Sequence, residues 1–165
     1  GNASDFGDLT VARQNLAACA SSTRGVFGGG ESGPVNVIDY ITIATAANAS
    51  DFGDLTAARY GLAACSSLTR GVFGGGYGAD YSNVLDYITI ATPGNASDFG
   101  DLTVARQNLA ACSSSTRGVF GGGYSTTNVI DYITIATTGN ATDFGDLTVA
   151  RAFLAACSDC HGGLA

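Results

Sequence analysis

Asn128–Gly139 reads NVIDYITIATTG and runs directly into NATDFGDLTVAR at Asn140–Arg151. The same words recur from Asn83, as NVLDYITIATPGNASDFGDLTVAR, and from Asn36, as NVIDYITIATAANASDFGDLTAAR. Asn2, Asn48, Asn95 and Asn140 begin the N-x-S/T signals of successive copies, 46, 47 and 45 residues apart. A period of this length marks a solenoid, a propeller or an array, in which each unit buries its neighbour's apolar face. The repeats cover residues 12–57, 58–104 and 105–150, with a leading partial copy at 1–11 and a trailing one at 151–165. All belong to one repeat domain, and Gly1 in place of Met reads as the start of a processed product or fragment.

Within the third copy, four extended pieces are separated by turn residues: Ala105–Ser113, Thr116–Gly123, Asn128–Thr137 and Ala141–Leu147. None is long enough for a good helix, and β-branched and aromatic residues gather in the second and third, so strands are expected. In the third piece Val129, Ile133 and Ile135 fall on one face, and Ile130, Tyr132 and Ala136 on the other. A strand apolar on both faces needs a neighbouring sheet on each side. Glycine triplets (Gly28–Gly30, Gly74–Gly76, Gly121–Gly123) end the second piece, where a chain without Cβ can turn sharply or approach another backbone. Loops of unequal length follow, ESGPV, YGADYS and YSTT, and variable insertions at one place in a repeat mark a binding face. Glu31, Tyr77, Asp80, Tyr81 and Tyr124 are the candidate binding residues there.

All seven basic residues are arginines and the formal charge is -7, which disfavours a nucleic acid or anionic lipid partner. No apolar run reaches the roughly 18 residues of a spanning helix. Cys19, Cys65, Cys112 and Cys157 share one repeat position, as small packing residues would in a stacked array. Cys157-Ser-Asp-Cys160-His161 matches the C-x-x-C-H pattern of c-type haem attachment and opens an electron-transfer alternative. The competing reading is a degenerate capping strand. The acidic pairs Asp51/Asp54 and Asp98/Asp101, within DFGD, offer oxygen ligands to Ca²⁺ and hence a Ca²⁺-stabilised extracellular fibre or adhesin. The competing reading is a turn-forming Asp beside a Gly. Two arginines per repeat, such as Arg106 and Arg117, suit ion pairs between units through the repeated Asp residues, or a positive ring around a channel. The four N-x-S/T signals read as one copied surface turn, though they also permit glycosylation.

A hydrophobic pair before glycines (Val119, Phe120, Gly121–Gly123), a following Tyr132, an aromatic Phe144 and an Arg near the next repeat (Arg106, Arg151) resemble the kelch repeat of β-propellers. Tryptophan is absent, and the Tyr-to-aromatic spacing exceeds the family norm. The wording also resembles kelch-like repeat proteins of marine bacteriophages. The resemblance implies an all-β chain of about three and a half four-stranded blades, non-enzymatic and located in a virion or outside the cell. Open sheet edges at both ends imply partnership with itself, as a homo-oligomer or filament. The loops would then meet other virion proteins or a host-surface glycan.

Overall fold

The computed structural model describes residues 1–124 and 127–158. Among them, twelve strands form three antiparallel four-stranded sheets, each in sequence order. The first holds β1 (Ala17–Ala20), β2 (Arg24–Gly28), β3 (Val37–Thr42) and β4 (Ser50–Asp54). The second holds β5 (Ala63–Ser66), β6 (Arg70–Gly74), β7 (Val84–Thr89) and β8 (Ser97–Asp101). The third holds β9 (Ala110–Ser113), β10 (Arg117–Gly121), β11 (Val129–Thr134) and β12 (Thr142–Asp146). The all-β repeat is therefore present. Among the described residues the three sheets do not close into a ring.

Each strand is shorter than the extended piece containing it. The first piece loses its front half because Asn108 takes a left-handed turn at φ 54°, which Asn tolerates, so 105–109 becomes a connection. The third ends at Thr134, where Thr137 N–H closes a turn onto the Thr134 carbonyl at 3.1 Å. No strand forms at 3–9 or 151–158, because neither segment has the rest of a sheet beside it. The capping strand expected around Cys157 and His161 lies, from residue 159 on, outside the described residues.

The facing of the third piece matches the packing. Leu85 and Tyr87, the counterparts of Ile130 and Tyr132, meet Phe99 on the side of the second sheet that looks toward the third. Ile133 and Ile135 of the third sheet look back into the same core. A matching core joins the first and second sheets, with Val26, Ile38 and Phe52 against Phe73, Ile88 and Ile90.

Glycines make the close approach possible. A Cβ on Gly28 would lie 2.7 Å from the Phe73 ring, and one on Gly74 2.8 Å from the Phe120 ring. In return the thiols of Cys19 and Cys65 sit 2.6 and 2.5 Å from where Cβ atoms of Gly71 and Gly118 would stand. Each interface is thus knobbed from both sides, aromatic ring into one glycine and sulfur onto another.

Polar contacts fasten the two ends of each interface. At the inner end, the Ser66 and Ser113 hydroxyls donate to the carbonyls of Ala20 and Ser66, both at 2.9 Å. At the outer end, Gly94 and Ala96 donate their N–H groups to Phe52 and Asp54 at 2.6 and 2.8 Å. Residues 94–96 therefore cover the open edge of β4, and 139–141 treat β8 the same way. The side chains of Asn95 and Asn140 accept from the N–H groups of Asp54 and Asp101, both at 3.1 Å, so two sequon asparagines clip sheet to sheet.

Candidate functional site

The loop face is positioned by a buried ion pair that recurs three times. Arg13, Arg59 and Arg106 meet Asp39, Asp86 and Asp131 at 2.6, 2.7 and 2.9 Å, with side chains at most 1% exposed. The threonine opening each connection adds a hydroxyl bond to the same carboxylate: Thr10, Thr56 and Thr103 at 2.5, 2.6 and 2.5 Å. Asp86 and Asp131 sit in the middle of β7 and β11, directly before the YITIAT stretch, a place that apolar patterning alone passed over.

Arg59 and Arg106 each belong to two sheets at once. The Arg59 carbonyl accepts from Gly30 N–H at 2.9 Å and its own N–H donates to Val35 at 3.2 Å, while its guanidinium is held by Asp86 of the next sheet. Arg106 repeats this with Gly76, Ser82 and Asp131. The glycine is required here. Gly75 has φ 68°, and a Cβ on it would lie 2.7 Å from the Arg106 carbonyl. Burial lowers the affinity of the Arg59 guanidinium for its proton, and the charge of Asp86 opposes that effect. The repeated arginines and aspartates therefore pair, but within each repeat and not between units, and through Asp39, Asp86 and Asp131 rather than DFGD. These arginines do not make a positive ring. The cleft of about 390 Å³ beside β1, β5 and β9 is lined by residues such as Ala18, Cys65, Ser66 and Ala111, and no described lining residue is an arginine.

Above these pairs runs a strip crossing all three sheets. Gln14 bridges to Glu31, Tyr60 to Tyr77, and Gln107 to Tyr124. Glu31 follows Gly30 and Tyr60 follows Arg59, so the Gly30–Arg59 bond links the first bridge to the second; the Gly76–Arg106 bond links the second to the third. Tyrosine rings continue along it: Tyr60 to Tyr77 at 5.7 Å between centroids, Tyr77 to Tyr81 at 5.4 Å and Tyr81 to Tyr124 at 6.3 Å. The loop backbone beneath is tied down, with Ser82 N–H bonded to the Gly76 carbonyl at 2.9 Å and Tyr81 N–H to the Asp80 carboxylate at 2.8 Å.

Four of the five residues proposed from the loops, Tyr77, Asp80, Tyr81 and Tyr124, thus gather in one cluster. Glu31 lies at its near end, holding the side-chain amide of Asn15 at 3.1 Å. Tyr60 was missed. Its signal was the replacement of Gln14 and Gln107 by Tyr in an otherwise conserved word. At the far end, Tyr124, Arg151 and Phe153 flank a cleft of about 320 Å³. Phe153 is 78% exposed and has φ 56°, at the position held by Asn15, Gly61 and Asn108. Asn and Gly tolerate that conformation, but a bulky side chain strains it.

The remaining candidates scatter. Arg24, Arg70 and Arg117 lie over the rings of Tyr40, Tyr87 and Tyr132, each at 4.5 Å, while Tyr132 meets Phe144 edge-on at 5.8 Å. Asp51 and Asp98 are exposed on the outer strands, with Asp54 and Asp101 half-buried beside them. Asp98 accepts from Gly100 N–H at 3.3 Å, the turn geometry expected of an Asp beside a Gly. No group of three or more His, Cys, Asp or Glu residues is placed to hold a metal ion among the described residues. Cys157 is exposed, whereas Cys160 and His161, the other parts of the haem pattern, lie outside the described residues. No protein-family model matches the chain, and no curated protein matches it.

Proposed function

We propose that the chain is a non-enzymatic, kelch-like propeller segment that self-associates through its two outward sheet faces and presents the tyrosine strip for partner recognition, as a virion or tail component. One observation carries the reading: the faces at the ends of the array are built like those inside it but, among the described residues, are only partly covered, by the leading segment at Ala49 and the trailing segment at Ser113. Phe144 is 56% exposed where Phe52 and Phe99 are 2%, and Ile43 is 45% exposed where Ile90 and Ile135 are 1%. The missing partner of each is the other kind of face. Among the described residues a Cβ on Gly121 would meet only Ile130, at 3.8 Å, where Gly28 and Gly74 receive phenylalanine rings. Pairing of unlike faces is heterologous and yields rings or filaments.

Sedimentation over a range of concentrations tests it. The expected outcome is species larger than the 16.5 kDa monomer, dispersed by the pair Ile43→Asp and Phe144→Asp. A monomer at every concentration would sink the proposal.

A further inference from the structure

We infer that the tyrosine strip is a binding site for an extended, neutral oligosaccharide. The inference rests on the reading of the loops as a recognition surface and names the ligand class.

Three observations support it. The rings of Tyr60, Tyr77, Tyr81 and Tyr124 follow one another at 5.7, 5.4 and 6.3 Å, inclined to each other by 53°, 78° and 38°, so the strip offers ring faces and ring edges in turn along a line the width of several pyranose units. A pyranose offers an apolar C–H face with hydroxyls at its rim, and tyrosine matches both with its ring and its phenol. The strip is also rigid before any ligand arrives, because reciprocal backbone bonds join Tyr60 and Tyr77 at 2.9 and 2.8 Å and Tyr124 donates to Gln107 at 2.6 Å. Little ordering entropy is then lost on binding.

The third observation is the polar inventory. Glu31 and Asp80 supply acceptors along the strip and Arg151 a donor beside Tyr124, a mixture suited to hydroxyls, which both give and accept hydrogen bonds. Loss of water around the Tyr81 ring, and then the neighbouring Tyr124, Tyr77 and Asp80, raise the proton affinity of its phenol. Two fixed carboxylates in a chain of charge -7 oppose an acidic glycan or a nucleic acid. At the far end, Phe153 holds a strained backbone while leaving its ring 78% exposed beside Tyr124, which is 54% exposed.

The whole chain can be titrated with cellohexaose and mannohexaose, with hexagalacturonate and hexa-arginine alongside. The chain has no tryptophan, and four of its seven tyrosines are in the strip, so tyrosine emission reads the site directly. Saturable binding of a neutral hexasaccharide is expected, weakened by at least about tenfold in Tyr124→Ala and Tyr81→Ala, since hot-spot aromatics carry most of a contact's free energy. Tyr124→Phe should retain most of it, and Leu68→Ser, exposed in the β5–β6 turn, should leave it unchanged. Circular dichroism establishes that each variant is folded. No binding of either neutral probe, or binding that survives Tyr124→Ala, would overturn the inference. A response to hexa-arginine or hexagalacturonate alone, lost in Tyr124→Ala, would overturn the ligand class and keep the loops as the recognition face. Sedimentation, read separately, decides self-association.

Discussion

Cys19, Cys65 and Cys112 occupy one place in the repeat; the first two are buried between sheets and Cys112 is half-buried. Burial pushes the Cys19 thiol from 9.0 up to about 12, and burial also raises Cys65, with smaller contributions from Cys19 and Cys112. The unfolded chain can ionise these thiols near pH 9, whereas the folded chain holds Cys19 neutral to about pH 12. Their contribution to stability is therefore complete below the unfolded value and is lost as pH rises through that window. Urea denaturation should show stability falling between those limits, and Cys19→Ala combined with Cys65→Ala should flatten the fall. An unchanged slope in the double variant would assign the alkaline loss to other groups.

At the scale of the strand, the word RGVFG shows why the copies are so alike. Its first glycine takes a sulfur from the sheet before, its valine and phenylalanine enter opposite cores, and its last glycine takes a ring from the sheet after. Gly118→Ala should lower stability by about 1–3 kcal/mol, because the new methyl overpacks against the Cys65 thiol and the Ile133 side chain. Adding Cys65→Ala should recover part of that loss, a coupling that a double-mutant cycle reads directly. Strict additivity would mean that the two positions do not meet. The same substitution at Gly25 should cost less, since its nearest neighbour is the flexible Ile41 at 3.2 Å and no cysteine packs there.

For the whole molecule, the two ends are not equivalent. Asp8 holds Ala49 N–H at 2.8 Å and Asn48 at 3.0 Å, so the leading segment sits where β4 sits against residues 94–96. A second copy docking its third sheet onto the first must bring β12 into that same place, and the leading segment competes with it. Removing residues 1–9 should therefore lower the concentration needed for assembly by about tenfold, an effective-concentration effect readable by sedimentation. Weaker assembly of the shortened chain would place the interface elsewhere.

The period, the four strands, the two-faced third strand and the need for neighbours were legible in the sequence, because alternation and repetition are local properties of the chain. The loop residues were legible as a group, since they vary where the rest does not. Asp86 and Asp131 were not legible as ion-pair partners. A carboxylate in an apolar strand finds its arginine 27 and 25 residues away, across a connection that only the folded chain brings over it. Nor does any spacing along the chain say that Tyr60, Tyr77, Tyr81 and Tyr124 form one line. The sequence by itself determined the unit and its repetition; tertiary structure decided which units are covered and which side chains meet. Coverage and convergence depend on contacts between residues far apart in the chain.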